Sequence, residues 1–330
     1  MKISKTCTGI IFPIVTTIII FYGCGRRAGY LSLEGFTQGT TYHISYSPDV
    51  VFPADSLVED LLYRIDTSLS VYNQGSVISK INRNETSLPD SLFKIVFNRS
   101  KEIYKVTGGA FDVSGAPLFD AWGFGFKKRD SVTPAMIDSI LAFVGMDKIS
   151  ISDGKVVKSD NRVSVNFNAI AQGFTSDFIA KEFDRIGIKN YMIEVGGEIF
   201  CKGFNPKGKP WRVGIDRPNE GNLLPGEDLQ EILELSGKGL ATSGNYRKYY
   251  ESQGVKYSHT IDPSTGYPVR HSLLSATVVA NDAMTADAMA TFFMVAGLER
   301  SKEFLASNPG IEAYLVYSDK DGMKVYKTEG

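Results

Sequence analysis

An excess of charge of one sign is missing from this 330-residue sequence, in which 36 basic residues face 37 acidic ones and the formal net charge is -1. This balance provides no broad basic field, so we expect no nucleic-acid partner. Hydrophobic residues make up 43% and charged residues 22% of the chain, as in an ordinary globular protein with a sizeable core. By length, the chain could form two domains or one large α/β or α+β unit.

Long hydrophobic runs are rare, and the one at the N-terminus has the order of an export signal. Lys2 and Lys5 precede an apolar run, residues 9–21, that is short for a membrane span. Gly23 then stands before Cys24, an arrangement that resembles a bacterial lipobox, in which the cysteine is acylated and begins the mature protein. The pattern therefore predicts a processed and lipid-modified N-terminus.

This interpretation divides the chain into three parts. We predict a lipoprotein signal peptide at residues 1–23, a lipid-anchor linker at 24–33 and one folded domain at 34–330. The protein is then anchored by its lipid to a bacterial membrane and faces the periplasm or the cell exterior. Secretion without an anchor is the alternative.

Cysteine is scarce, with three residues in all. Cys7 leaves with the signal peptide and Cys24 carries the lipid, so Cys201 alone remains and no internal disulfide can form. Cys201 follows two apolar residues, and no histidine is near it in sequence. We interpret it as a small buried residue rather than a nucleophile.

Helix and strand patterns are interspersed along the chain without a regular βαβ order. Apolar spacing and capping residues predict helices at 57–69, 89–106, 133–145, 168–187 and 283–297, and a shorter helix to about residue 307. Period-two patterns and turns predict strands at 36–46, 148–157, 163–167, 191–195, 198–204, 211–215, 229–235, 240–244, 274–280 and 313–327. These elements predict an α+β fold with mixed or antiparallel sheets and packed helices.

Asp287 and Thr291 stand four residues apart in the late helix, which places them on one face, one turn apart. A carboxylate and a hydroxyl form a hard-oxygen pair of the kind that suits Mg²⁺, which completes its shell with waters and phosphate oxygens. In the alternative, Asp287 is solvated and Thr291 bonds back to its own helical turn. The spacing alone leaves both open.

Glycines at a strand end indicate a second candidate element. "EVGGE" ends a predicted strand with Gly196 and Gly197, and a backbone without side chains can approach a phosphate and direct N–H groups at it. An ordinary turn is the alternative. Neither a Walker motif nor a G-x-G-x-x-G pattern is present, so the common nucleotide-binding folds receive no support.

The segment "GGAFDVSGAPLFDAWGFG" is dense in glycine and aromatic residues, with Asp112 at its centre. A tightly packed loop around Phe111, Phe119 and Trp122 is one interpretation. A loop with an aromatic wall is also a common way to bind a planar ring.

Histidine is scarce too, with three residues, and His259 lies in "YSHTIDPSTGYP", just before the turn Asp262–Gly266. A fixed imidazole can accept a proton near neutral pH, so His259 is a candidate general base. A structural histidine beside a turn is the alternative. His43, in an alternating strand, is expected to face solvent.

From about residue 34 to its end, the chain resembles the ApbE family, the FAD:protein FMN transferases. The resemblance rests on nine segments in family order: "GTTYHISY", "SVYNQGSVISKIN", "GGAFDVSGAPLFDAWGF", "NFNAIAQGF", "YMIEVGGEIF", "WRVGIDRP", "LATSGNYRKYY", "YSHTIDPSTGYPV" and "ATVVANDAMTADAMAT". It implies a single ApbE-like catalytic unit. The implied reaction depends on Mg²⁺, transfers the FMN half of FAD to a threonine or serine hydroxyl of a partner flavoprotein, and releases AMP.

The resemblance also implies roles for single residues. The metal ligands are Asp287, Thr291 and the carbonyl of Ala169, and the catalytic residues are His259 and Asp287. The residues expected to contact FAD, including the two glycines above, are Gln38, Tyr72, Ala110, Phe111, Asp112, Asn166, Gln172, Gly196, Gly197 and Ile261. Whether the proton of the attacking hydroxyl passes to His259, to Asp287 or to water stays open.

Three of these positions depart from the family pattern. Many members carry Met where this chain has Gln38, Asp where it has Asn166, and Lys or Glu where it has Gln172. Two rival functions use the same residues: a periplasmic FAD pyrophosphatase, with water as the acceptor, and a lipid-anchored flavin-binding protein without catalysis. Convergence of the metal ligands and His259 on one point favours an enzyme, because a simple binding protein does not require it.

Overall fold

The structure is a computed structural model that describes residues 29–123, 132–218, 226–244, 249–252, 255–258 and 260–328. The strands of this part are β1 (Leu31–Thr37), β2 (Thr40–Tyr46), β3 (Ile149–Ser152), β4 (Lys155–Lys158), β5 (Tyr191–Val195), β6 (Glu198–Lys202), β7 (Trp211–Asp216), β8 (Leu229–Leu235), β9 (Lys238–Gly244), β10 (Tyr249–Ser252), β11 (Val255–Ser258), β12 (Ile261–Asp262), β13 (Tyr267–Pro268), β14 (Leu273–Ala280), β15 (Glu312–Asp319) and β16 (Gly322–Lys327). The α-helices are α1 (Ala54–Leu69), α2 (Val77–Asn82), α3 (Ser91–Val106), α4 (Ala116–Ala121), α5 (Pro134–Leu141), α6 (Ala171–Ile186) and α7 (Ala283–Ser307).

An eight-stranded sheet organises the molecule, in the strand order β1-β2-β5-β6-β9-β14-β15-β16. Each neighbouring pair in this sheet is antiparallel. The remaining described strands form two-stranded hairpins. The predicted α+β class with antiparallel sheets is therefore confirmed.

Two helices cover the centre of the sheet. α6 lies against β5 and β6, α7 lies against β9 and β14, and the two helices contact each other. The inward residues of β5, namely Tyr191, Ile193 and Val195, are fully buried under α6. α7 is apolar on most sides of its first half, because it is covered by the sheet and by α3. The helix pair α6 and α7 positions the candidate site.

The segment 36–46, predicted as a single strand, is a hairpin turn followed by a strand. β1 ends at Thr37, and Gln38 and Gly39 both have positive φ, of 50° and 76°. Two positive φ values match the right-handed twist of the flanking strands, as in the favoured two-residue hairpin turns. Gln38 thus occupies a left-handed conformation that residues with a side chain rarely adopt. His43 faces solvent on β2, as expected.

The segment 163–167 is not a strand, although its alternating residues are buried as a strand pattern predicts. Both backbone groups of Val165 bond to the side chain of Asn82, whose amide takes the place of a neighbouring strand. The Asn166 N–H donates to the carbonyl of Val113. These partners satisfy the backbone and leave no sheet ladder to form.

Several helix boundaries differ from the predicted ones. α6 begins at Ala171 rather than at residue 168, and its N-cap is Ile170. α5 ends at Leu141 rather than near Gly145. The predicted division of the late helix is confirmed, because Gly297 is non-helical and separates α7 into two helical parts.

Two further expectations concern the chain as a whole. Cys201 is fully buried and unpaired in β6, which confirms its packing role, and burial raises the pKa of its thiol to about 12. β1 begins at Leu31, so the last residues of the predicted 24–33 linker belong to the sheet. Cys24 lies outside the described residues. Within the described residues, no helix combines the length and the apolar character that a bilayer span requires.

Candidate active site

The first turn of α6 obtains a hydrogen-bond acceptor from another helix. Its N-cap, Ile170, has no side chain that can accept, although the first N–H groups of a helix need acceptors. The Gly173 N–H donates to Oδ2 of Asp287 on α7, at a donor–acceptor distance of 3.0 Å. Ala169 directly precedes the N-cap. Its carbonyl would ordinarily accept a hydrogen bond from the N–H of Gly173, four residues later, but that N–H donates to Asp287 instead. The Ala169 carbonyl therefore stands outside the helical hydrogen-bond ladder.

A second carboxylate makes the reciprocal contact. The side chain of Asp177, on α6, accepts hydrogen bonds from the N–H groups of Ala283 and Met284, at 2.9 and 2.8 Å, at the start of α7. Each helix therefore caps the other with an aspartate, and negative charge is favourable at a helix N-terminus. We call Gly173, Asp177, Asp287 and the two N–H groups of α7 the α6–α7 clamp.

The close approach of these helices depends on Gly173. A Cβ atom at this position would lie 2.3 Å from the carbonyl oxygen of Ala283 and 2.8 Å from Cβ of Asp287. Real Cβ atoms do not come so close to backbone atoms, so only glycine allows the observed spacing. The glycine thereby fixes the position of the Asp287 carboxylate relative to α6.

Two buried carboxyl groups, those of Asp287 and Glu198, interact electrostatically. Asp287 is 5% exposed and Glu198, the first residue of β6, is 7% exposed. Burial raises the pKa of both carboxyl groups, and the negative charge of Asp287 raises that of Glu198 further. Oε2 of Glu198 has no hydrogen-bond partner among the described residues. Two buried carboxyl groups without a positive charge beside them destabilise the folded protein. Such a pair is typical of a site that binds a cation.

The proposed oxygen ligands are compatible with Mg²⁺. The Asp287 side chain reaches the turn that follows Ala169, and Thr291 lies one turn further along α7, partly exposed. Carboxylate, hydroxyl and carbonyl oxygens are hard donors of the type that Mg²⁺ takes. In the described part of the chain, no three His, Cys, Asp or Glu side chains are grouped to hold a metal ion. A set with a single carboxylate ligand does not require such a group.

Two glutamines connect α6 to the turns between strands. Nε2 of Gln38, at the β1–β2 turn, donates to Oγ1 of Thr175 at 2.7 Å. The side chain of Gln172 lies against the β5–β6 turn, since a Cβ on Gly196 would be 2.5 Å from its Nε2. These contacts bring the predicted residues Gln38, Gln172 and Gly196 to the N-terminal half of α6, beside Asp287.

The N–H groups of the two turn glycines are already engaged within the protein. Gly196 donates to the carbonyl of Thr41 at 3.0 Å, and Gly197 donates to Oε1 of Glu194 at 2.8 Å. The expectation that they direct N–H groups at a phosphate is therefore not met in this structure. Both glycines have positive φ, so their role is to form the turn and to leave space beside it.

The segment 110–112 is buried more deeply than a lining loop. Ala110 is 4% and Phe111 1% exposed, and both pack in the main core. Asp112 Oδ1 accepts hydrogen bonds from the N–H and the hydroxyl of Ser114, at 2.7 and 2.6 Å. Burial raises the pKa of Asp112 to about 6, although these hydrogen bonds oppose the shift. The side chains of Ala110 and Phe111 therefore support the site through packing in the core.

Tyr72 and Asn166 both bond to Asn168, in the segment that precedes α6. Tyr72 is 65% exposed, and its hydroxyl accepts a hydrogen bond from Nδ2 of Asn168 at 3.1 Å. Oδ1 of Asn166 accepts from the N–H of Asn168, and the Asn166 N–H donates to Val113, next to Asp112. The exposed ring of Tyr72 is thus held beside the chain that leads to Ala169, where it can contact a ligand.

Ile261 belongs to a separate apolar cluster. Its side chain is 2% exposed and packs with Leu118, Trp122 and Ile137. The Trp122 indole N–H donates to the carbonyl of Gly266, which attaches the β12–β13 hairpin to α4. Any contact of Ile261 with a ligand must therefore come from its backbone. His259 lies outside the described residues.

Two residues of the site were missed from the sequence, namely Asp177 and Glu198. Asp177 stands ten residues before Gly187 in a polar position of α6, and only its contact with α7 reveals its role. Glu198 is the last residue of "EVGGE", where the two glycines are the stronger local signal. The available signal was a charged residue placed directly after a turn, at the start of a buried strand.

Comparison with known proteins agrees with this geometry. Residues 38–315 match the model of the ApbE family. The proteins named FAD:protein FMN transferase from Haemophilus influenzae and Vibrio cholerae are each 35% identical to this chain. The alignments cover 97% and 94% of the chain and 95% of each relative.

Solved structures give the same result. The flavin transferase ApbE from Vibrio cholerae superimposes with a TM-score of 0.81 at 33% identity, covering 91% of this chain and 97% of that one. The apo form of the flavinyl transferase ApbE from Pseudomonas stutzeri superimposes with a TM-score of 0.81 at 30% identity, covering 91% and 95%. On the fold, the placement of the candidate residues and these similarities, the chain belongs to the ApbE family.

Proposed function

We propose that this chain is an FAD:protein FMN transferase that depends on Mg²⁺ and modifies a threonine or serine hydroxyl of a partner flavoprotein. The observation that carries the proposal is Asp287, a buried carboxylate that the α6–α7 clamp holds at the first turn of α6, just after Ala169, and one turn before Thr291. The names of the relatives specify the same reaction for those proteins.

In this reaction, the acceptor hydroxyl oxygen attacks the phosphorus of the FMN half of FAD. A new P–O bond forms, the P–O bond to the other half of the pyrophosphate breaks, and AMP leaves. Ala169, Asp287 and Thr291 would hold Mg²⁺, which when bound neutralises charge on the pyrophosphate. Asp287 is suited to this task because burial excludes water from its carboxylate and α6 fixes its orientation.

The hydroxyl must also lose its proton, and we assign His259 as the base. The β12–β13 hairpin that follows it is held to α4 by Trp122, so the backbone next to His259 is attached to a rigid element. Tyr72 bonds to Asn168, before α6, and Gln38 bonds to Thr175 in α6. Both residues, together with Asp112, are proposed to contact FAD. The lipid anchor at Cys24 is part of the same proposal and places the enzyme at a bacterial membrane, facing the periplasm or exterior.

The deciding experiment incubates the purified protein with FAD, Mg²⁺ and an acceptor flavoprotein domain, and reads the intact mass of the acceptor and the nucleotide products. We expect the acceptor to gain the mass of FMN with release of AMP. An acceptor variant without its hydroxyl is the matched control. FMN and AMP formed without a mass gain would indicate a pyrophosphatase, and unchanged FAD that copurifies with the protein would indicate a binding protein.

A further inference from the structure

Glu198 is the buried charged residue that the proposed ligand set leaves unused. It is the first residue of β6, directly after the Gly196–Gly197 turn, and it is 7% exposed. The hydroxyl of Ser176, on α6, donates to its backbone carbonyl at 2.8 Å and fixes this end of the strand. The backbone position of Glu198 is therefore set by the same helix that positions Asp287.

One oxygen of the Glu198 carboxyl group lacks a partner that would explain its burial. Within the described residues, Oε2 is buried without a hydrogen bond. Its own backbone N–H bonds to the carboxyl group, and the neighbouring charges that act on it, Asp287 and Glu194, are both negative. A buried carboxylate that no cation balances is unfavourable, because burial removes the water that would otherwise solvate its charge. An unsatisfied polar atom of this kind in a native structure calls for an ion or a water.

We propose that Glu198 is the second carboxylate of the divalent-cation site, where it accepts a hydrogen bond from a water that the ion retains. The inference rests on the proposed function, because it takes Asp287 as a ligand of that ion. Mg²⁺ keeps several waters when proteins bind it, and each water must donate to an acceptor. Glu198 bonds through its carbonyl to Ser176, one helical turn after the Gly173 that donates to Asp287, so both carboxyl groups belong to residues held by the same stretch of α6. The unsatisfied Oε2 provides such an acceptor.

This role predicts an effect on ion affinity rather than on folding. Partners of the waters and ligands around a metal typically change its affinity by about 10- to 100-fold. Glu198→Gln keeps the shape of the side chain and removes its charge. We therefore expect this variant to fold normally and to bind the ion more weakly.

The experiment measures binding of Mn²⁺ alone, as a probe for Mg²⁺, by electron paramagnetic resonance of the free ion. We expect saturable binding to the wild type, a Kd raised about 10- to 100-fold in Glu198→Gln, and no saturable binding to Asp287→Asn. Glu303→Gln, an exposed change in the second part of α7, is the matched control and should bind like the wild type. Melting temperatures without metal verify that each variant is folded.

A Kd for Glu198→Gln within twofold of the wild type, with binding lost in Asp287→Asn, overturns the inference and leaves the proposed function intact. Wild-type protein that transfers FMN in excess EDTA and shows no saturable Mn²⁺ site overturns the metal requirement itself, and with it this inference. If Glu198→Gln does not fold, Glu198→Asp replaces it. This variant retains the charge but withdraws it by one methylene group, and an unchanged Kd would again count against the inference.

Discussion

Asp112 shows how burial can make a single carboxyl group sensitive to pH. Its pKa is raised to about 6 from an ordinary value of 3.8, mainly by burial. The folded state therefore holds this proton more tightly than the unfolded state does. The resulting stabilisation is present at low pH and is lost as the pH rises from about 4 through 6.

Asp112→Asn should remove this dependence, because an amide has no proton to lose and can still accept the hydrogen bonds of Ser114. We expect the variant to gain stability relative to the wild type between pH 4 and pH 8, by on the order of 2 kcal/mol. Urea unfolding of the ligand-free proteins at both pH values measures the difference. A difference that stays constant between the two pH values would contradict the assignment.

His259→Ala tests the assigned base. We expect FMN transfer to slow by roughly 10²- to 10⁴-fold, the usual contribution of a positioned general base, with little change in FAD affinity. An imidazole ordinarily loses its proton at about pH 6.5, so the wild-type transfer rate should rise with pH in that range. The variant should lose this rising limb of the pH–rate profile. Transfer kinetics, FAD titration and melting of the same variant decide the question. A structural histidine would instead lower melting temperature and FAD affinity together and leave the pH limb in place.

Single-residue roles followed from the sequence where a residue type has few uses at a given spacing. Asp287 and Thr291 are one helical turn apart, and this spacing was enough to propose a hard-oxygen pair. Glu198 could not be found in this way, because its lack of a partner depends on how β6 meets α6 and α7. Likewise, the engagement of the Gly196 and Gly197 N–H groups depends on contacts that no local pattern encodes.

At the level of elements, the α6–α7 clamp makes helix spacing a determinant of activity. Gly173→Ala places a Cβ against the backbone of Ala283, which cannot rotate away as a flexible side chain could. The gain in helix propensity, about 1 kcal/mol, is smaller than the cost of separating two packed helices, about 1–3 kcal/mol. We expect a net loss of stability and at least about a tenfold loss of FMN transfer, since misplacement by about 1 Å can cost as much as 10²-fold.

Thermal unfolding and transfer kinetics on the same preparations measure this prediction. Gly310→Ala is the matched control, because a Cβ there meets nothing within 4 Å. It should behave like the wild type in both measurements. A Gly173→Ala protein with wild-type stability and rate would show that the helix spacing has no influence on the carboxylate.

Elements with strong local signals were predicted well, and those completed by distant partners were not. The β3–β4 hairpin follows from Asp153 and Gly154, which both adopt positive φ. The segment 163–167 has the burial pattern of a strand, but the Asn82 side chain occupies the place of a neighbour. An alternating pattern reports which side chains are buried and not what the backbone bonds to.

At the scale of the whole molecule, the remaining prediction concerns Cys24 and the membrane. Cys24→Ser should leave a protein that partitions into the aqueous phase in detergent phase separation, whereas the wild type partitions into detergent. Globomycin, an inhibitor of lipoprotein signal peptidase, should cause the wild-type precursor to accumulate. Mature wild-type protein that forms normally under globomycin and stays in the aqueous phase would show that the anchor is absent.

The strand order of the large sheet also fixes the sequence in which the protein can assemble. β2 pairs with β1 on one side and with β5 on the other, and β5 follows roughly 150 residues later in the chain. The β1–β2 hairpin therefore has no second sheet partner until α6 and β5 have been synthesised. Pairings of such long sequence separation form slowly, because the intervening chain must first lose its conformational freedom. The first two strands of the sheet are thus synthesised first, and the stretch of chain that separates them from their neighbour β5 is the longest between any two paired strands of this sheet.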